Sequence, residues 1–388
     1  MIQLSEFRVR SAQAGFTLVE LMVGVVVGLL ATLMIAKVLG FAEGQRRSAT
    51  SGSDSQVNGG LAIYSLDRQL KMAGYGVTVE GAALGCTLTG TFGGAAPATL
   101  PAVLAPVLIT AGASGAPDSI RMLSSTKASF AVPAKLTAPF YDPTDVVGDK
   151  ARRIALTSSL GMSQNDLMAL VYQDTVPAGP QRTCQLFQIS TTPGLKEITR
   201  NTAGSWNAAG FPDAVAAEGA FLVNLGALND VTFSVTSDFR LRQTTRSVRD
   251  QTSTDQDLQS NIVGLVAYYG KDTTGDDVID TFDKTTPTTN AGWLRVRAIR
   301  IALLARSGQF EKEEVTTASP AWDVGTFASV SGSATCGSRK CVTLKADVTT
   351  DWKHYRYKVF ELLVPLRNQL WRADFAPAAS APSAPATP

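Results

Sequence analysis

Between Asp272 and Asp283 the chain sets oxygen-bearing side chains at the first, third, fifth, ninth and twelfth places of one stretch: Asp272, Thr274, Asp276, Asp280 and Asp283. The backbone carbonyl of Val278 would fill the seventh. A tight loop turns alternate residues toward one point, and hard oxygen donors at that spacing suit a calcium ion. The pattern is imperfect, because the sixth place, which the turn prefers as glycine, is Asp277, and the twelfth is Asp in place of the longer Glu. Lys271 and Lys284 stand at the two ends. Two states therefore fit, a calcium loop or a solvated acidic turn, and calcium is the one cofactor the residues suggest. The flanking sequence is strand-like, so no helix is expected on either side.

Other chemistry is sparse. His354 is the only histidine and lies among Lys353, Tyr355 and Arg356, and no GxSxG, HExxH or Walker pattern occurs. No enzyme is expected. The four cysteines, Cys86, Cys184, Cys336 and Cys341, form no CxxC pair. In an oxidising compartment they would form two disulfides, for which three pairings exist. If Cys336 and Cys341 close the short turn between them, Cys86 is left for Cys184. Lys and Arg total 35 against 33 Asp and Glu, a net charge of +2 spread along the chain. That balance carries no nucleic-acid footprint. With 388 residues, 45% of them hydrophobic and 18% charged, the chain can bury a core.

One carboxylate stands where it is costly. Phe16 to Ala36 is a run of 21 residues whose one formal charge is Glu20. As a helix it spans about 31 Å, close to a bilayer's apolar thickness. Arg8 and Arg10 outweigh Glu6 ahead of it, which holds the first residues in the cytoplasm and sends everything after Lys37 outward. A carboxylate inside a spanning helix costs roughly 2.5–3.5 kcal/mol at the centre and less near the end, so it needs a partner or a purpose. The plainer reading is an acid in the first helical turn, where the macrodipole favours it. Gly24 and Gly28 form a small-xxx-small pair suited to close helix packing. Gly40-Phe41-Ala42 could be the cleavage site of a secretory signal, leaving a soluble protein that begins at Glu43.

Gly15-Phe16-Thr17-Leu18-Val19-Glu20 instead resembles the type III signal of type IV prepilins. By that resemblance a prepilin peptidase cuts after Gly15 on the cytoplasmic face and methylates the new amine of Phe16. The apolar helix is kept, and Glu20 pairs with the Phe16 amine of a neighbouring subunit during assembly. The expected organisation is a leader over 1–15, a membrane helix over 16–36, a stalk over 37–74, a periplasmic head over 75–375 and an Ala/Pro/Ser tail over 376–388 that cannot build a core.

Within the stalk, Gly44, Gly52, Gly59 and Gly60 leave the continuity of the helix open. Leu61, Ile63, Leu66 and Leu70 restore helical spacing as an apolar face for the head, and Gly74 supplies a stop. Val77 to Ala116 reads as long loops. Val231, Phe233 and Val235 alternate with polar residues as a half-buried strand. Further strands are expected at Ser119–Leu123, Leu167–Gln173, Gln185–Ser190, Ile262–Tyr269, Leu294–Ala305, with a bulge or change of face near Ile299-Arg300, and Tyr355–Val364. The fold class is α+β, a type IV pilin-like fold in which a long N-terminal helix packs on a mainly antiparallel sheet.

Leu222 to Gly226, Ile262 to Gly270, Trp293 to Ser307 and Val359 to Asn368 resemble stretches of the PilW-type minor pilins. Core packing explains most of them. The resemblance implies a low-abundance subunit of the inner membrane that helps initiate pilus assembly and serves twitching motility or adhesion. Its partners would be the major pilin and other minor pilins in a tip complex beneath an adhesin, with the pilus assembly machinery and the prepilin peptidase. The alternatives are a J-type minor pseudopilin of type II secretion and a membrane-tethered periplasmic binding protein.

Overall fold

The computed structural model describes residues 15–127, 133–147, 151–173, 182–201, 204–208 and 219–370. The first fourteen residues of the leader and the tail lie outside them. The N-terminal helix is continuous over Leu18–Met72, so the glycines at 44, 52, 59 and 60 do not interrupt it. The chain divides into two units, one through Ser53 and one from Asp54 onward.

In the first unit the helix carries apolar residues on every side as far as Ala36, with Glu20 its one charge there. Leu18–Arg46 is long and apolar enough to cross a membrane, and none of it is buried by the rest of the chain.

In the second unit the helix becomes one-sided. Ser55, Gly59, Ala62, Leu66 and Leu70 are buried at steps of four, three, four and four residues, the rhythm of one helical face. This corrects the expected stripe: Leu61 is 47% exposed and Ile63 only partly covered, while Ala62 and Gly59 take the inner positions. Small residues win there because strand side chains press against the backbone. A Cβ on Gly59 would stand 2.0 Å from Cε2 of Phe360, whereas one on Gly60 would meet nothing within 4 Å. The helix ends at Met72, and Gly74 (φ +80) turns the chain, donating its N–H to the Leu123 carbonyl at 2.7 Å.

Where one sheet was expected, four form among the described residues. Three of them matter for the helix. One sheet orders the strands Thr252–Ser260, Arg240–Ser247, Asn229–Val235, Ser119–Ser124 and Val107–Thr110, all antiparallel. A second orders Ser329–Val330, Thr281–Asp283, Ile262–Lys271, Val296–Arg306 and Tyr357–Pro365. The inner faces of both close on the helix through Ile120, Met122, Val231, Phe233, Leu265, Tyr269, Ile301 and Leu303. A seven-stranded sheet, from Thr87–Thr89 at one edge to Glu197–Asn201 at the other, has its own apolar clusters on both faces. The fourth, around Ala321–Gly325, covers the outer face of the second sheet with Trp322 and Val342.

Alternation in Val296–Arg306 is kept from Ile299 onward, with Ile299, Ile301, Leu303 and Ala305 facing the helix and Ala302 and Leu304 facing the outer cluster. The irregularity lies earlier than expected: Gly270 pairs with Ala298 and Lys271 with Val296, so Arg297 is bulged out. Leu294, expected to open that strand, closes a short helix, Asn290–Leu294. Both disulfides form, Cys86–Cys184 across 98 residues in the core of the seven-stranded sheet and Cys336–Cys341 across five in a surface hairpin.

An alanine at position 59 should destabilise the head by about 1–3 kcal/mol because overpacking outweighs helix propensity. Gly60→Ala should stabilise it by about 0.5–1 kcal/mol, the ordinary effect of that change in an exposed helix. Thermal unfolding checks the pair, and shifts of the same sign would refute the close contact with Phe360.

Candidate functional site: the processing signal and the acidic turn

The signal residues flank the first turn of the helix. Gly15, Phe16 and Thr17 lie outside it and Leu18 begins it. Thr17 is the N-cap: its Oγ1 accepts the Glu20 N–H at 3.3 Å, and its carbonyl accepts the Leu21 N–H at 3.1 Å. Threonine followed three residues later by glutamate is the spacing of a capping box. Phe16 is 85% exposed, and Glu20 is exposed in the first turn. Four-residue steps from Glu20 reach Gly24, Gly28, Thr32, Ala36, Gly40 and Gly44, one ridge of small residues. A Cβ on any of these four glycines would meet nothing within 4 Å.

The head grips the far end of this helix. Asn368 donates from Nδ2 to the carbonyls of Lys71 (3.2 Å) and Ala73 (3.0 Å), while its own carbonyl accepts from Thr78 Oγ1 at 2.8 Å. The last turn of a helix leaves its carbonyls unpaired, and here a residue almost 300 positions away satisfies them. Gln369 adds bonds from Nε2 to the carbonyls of Trp293 (2.6 Å) and Val296 (2.9 Å). Sequence pattern does not reveal such a cap, because the helix stop and the side chain that serves it are far apart in the chain.

In the acidic turn four of the expected side chains converge and Asp283 does not. The Thr274 hydroxyl lies 3.5, 2.9 and 3.4 Å from carboxylate oxygens of Asp272, Asp276 and Asp280. Asp283 turns to Lys271 instead, at 2.6 Å. The converging carboxylates are engaged by protein donors. Buried Asp272 accepts the N–H groups of Gly275 (2.5 Å) and Asp277 (3.0 Å) and Nη2 of Arg297 at 3.1 Å. Asp280 accepts the N–H groups of Thr273 and Thr274 and the Thr273 hydroxyl. Asp277, at the place where glycine is usual, has φ +65, so the turn keeps its left-handed residue. Among the described residues no group of three or more His, Cys, Asp or Glu is disposed to hold a metal ion.

Electrostatics follow from these contacts. Desolvation pushes the Asp272 carboxyl up, but the N–H of Gly275, the Arg297 guanidinium and the N–H of Asp277 outweigh it and hold it below the usual carboxylate range. A hydrogen bond from Thr281, reinforced by Thr273 and Thr274 against desolvation, holds Asp280 down at about 2. The arginines of Trp293–Ser307, read from sequence as core-strand material, complete the arrangement. Arg295 donates to the Thr273 carbonyl at 2.5 Å, and Arg297 pairs with Asp272 and Asp277. Arg300 pairs with Glu361 at 2.6 Å beneath the rings of Phe282 and Trp322. His354 stacks on Phe310, with Nδ1 2.9 Å from the Glu311 carbonyl, which gives it a packing role.

Residues 10–36 match the prokaryotic N-terminal methylation motif, and residues 231–368 match the family of type IV pilus-assembly protein W. Neither the curated proteins nor the solved structures hold a match. The first match, at the start of an apolar helix, shows a prepilin-type signal. The two matches together support a PilW-type type IV pilus protein, a minor pilin similar to a family that is structural rather than enzymatic.

Three measurements check these contacts. Asn368→Ala should cost about 1–2 kcal/mol by stripping the helix of its cap, read as a lower unfolding midpoint. Because the folded carboxyls of Asp272 and Asp280 are lowered, their stabilisation is present above the unfolded value near 3.9 and disappears as pH falls, toward about 2 for Asp280. Asp280→Asn should therefore flatten the acid limb of stability between about pH 4 and pH 2. Calcium should leave the melting temperature unmoved, since protein donors already hold the carboxylates; a calcium-dependent rise would restore the metal reading.

Proposed function

We propose that the protein is a minor pilin that helps initiate type IV pilus assembly in a tip complex with other minor pilins, and that the pilus serves twitching motility or adhesion. The observation that carries the reading is the coupling of two matched features in one chain: a methylation signal at the start of an apolar helix, and a PilW-type region that supplies most of the packing at its other end. In this reading the prepilin peptidase cuts between Gly15 and Phe16, and the Phe16 amine is methylated. Glu20 then pairs with the Phe16 amine of a neighbouring subunit. The helix crosses the inner membrane once, with the head in the periplasm, a compartment that suits two disulfides. The head takes a type IV pilin-like form, with the helix laid against antiparallel sheets. A J-type pseudopilin of type II secretion would share the signal, but the PilW-type match favours the pilus.

Mass spectrometry of the protein from sheared pili is expected to find N-methyl-Phe16 as the first residue. A chain beginning at Glu43 would exclude the pilin route. Loss of secretion with normal pili on gene deletion would shift the assignment to the pseudopilin.

A further inference from the structure

We infer that Thr17 is a positioning residue for processing: its hydroxyl fixes the start of the helix just past Phe16 and keeps the Gly15–Phe16 peptide bond outside it. The inference rests on the cleavage site proposed above.

Hydrolysis adds water to the Gly15 carbonyl carbon and breaks the bond to the Phe16 nitrogen. Gly15 leaves as a carboxylate and Phe16 keeps the amine with its added proton. A peptidase reaches such a bond in extended backbone, because a helix ties up the carbonyl and N–H groups that a protease binds. Where the helix begins is therefore part of the cleavage chemistry. The upstream residues do not themselves forbid a longer helix: Ala12, Gln13 and Ala14 are good helix formers, and Ser11 has a side chain suited to an earlier N-cap. A helix starting at Ser11 would enclose the Gly15–Phe16 bond in its first turns.

Two features oppose that shift. Gly15 is a poor helix residue. Thr17 is the stronger device, since its Oγ1 accepts the Glu20 N–H at 3.3 Å and ends the helix there. Leu18 and Val19, the next residues inward, have no side-chain oxygen to replace it. The same bond holds Glu20 at the third helical position, so one hydroxyl sets both the exposed peptide and the depth of the carboxylate.

The test uses the full-length protein in liposomes with prepilin peptidase, measuring initial rates of leader removal for wild type, Thr17→Ala, Thr17→Val and Thr17→Ser. Loss of an N-cap worth about 1 kcal/mol corresponds to about a fivefold shift of the helix-start equilibrium. Ala and Val should therefore lose about fivefold in kcat/KM, with faster hydrogen exchange at the Glu20 amide, while Ser restores both. Valine matching wild type, or serine failing with alanine, would mean that the enzyme reads the shape of the side chain and would overturn the inference. Equal rates for all four variants would do the same and leave the cleavage site standing. If wild type is not cut between Gly15 and Phe16, the site itself is wrong, and the exchange data alone then decide whether Thr17 caps the helix.

Discussion

A single helix has to satisfy two different surroundings, and the rest of the molecule follows from how it does so. As far as Ala36 its side chains, Glu20 and Thr32 apart, are apolar on every side, and through Arg46 the chain offers them no cover. From Ser55 its buried positions narrow to one stripe, so that contact with the sheets replaces contact with lipid or with other helices. Helices of ordinary propensity do not hold together in water by themselves; packing of one face has to supply the stability. Here that packing is Ala62, Leu66 and Leu70 between two sheets, with Gly59 opened to admit Phe360 and Asn368 closing the last turn.

The charged residues of the head serve the same geometry. Asp118, almost fully buried, accepts the Ala267 N–H at 2.9 Å and pairs with Lys284 at 2.7 Å, and its own N–H goes to the Leu265 carbonyl. It thereby joins the two sheets that clasp the helix. Arg297, extruded by the bulge, reaches the acidic turn that follows the neighbouring strand, and Arg300 crosses to Glu361 on the strand beyond. Buried charges are tolerable only when paired and hydrogen-bonded, and each of these carboxylates has both. The acidic turn is thus part of the fold, since its carboxylates secure the loop between the Ile262–Lys271 and Thr281–Asp283 strands.

What could be read in the chain depended on the range of the interaction. The Gly15, Phe16 and Glu20 signal is contiguous, and the Val231, Phe233, Val235 face repeats every two residues, so both were legible. The strand at Leu167–Gln173 was placed to the residue because a short apolar run between polar turns has few alternatives. The stalk face was misread because leucine and isoleucine count as buried in any periodicity, whereas the position pressed against Phe360 needed the absence of a side chain. Four sheets in place of one could not be seen, since strand order depends on pairings such as Asn229–Val235 with Ser119–Ser124, more than a hundred residues apart. The bulge was expected in the right strand but displaced, because the extrusion of Arg297 answers Asp272 on another loop.

The distribution of the family match carries a last step of argument. Residues 231–368 begin within the Asn229–Val235 strand and end on Asn368, the cap of the helix. They include Tyr269, Trp293, Ile299, Ile301, Leu303 and Val364, most of the head's share of the helix core. The seven-stranded sheet lies wholly before the match, with its own apolar clusters and the Cys86–Cys184 bond inside one of them. One of those clusters also takes in Val77, Leu123 of the first sheet, Leu228 and Val248. The matched part of the head thus supplies most of the packing on the helix, and the larger sheet is tied to it through Val248 in that shared cluster.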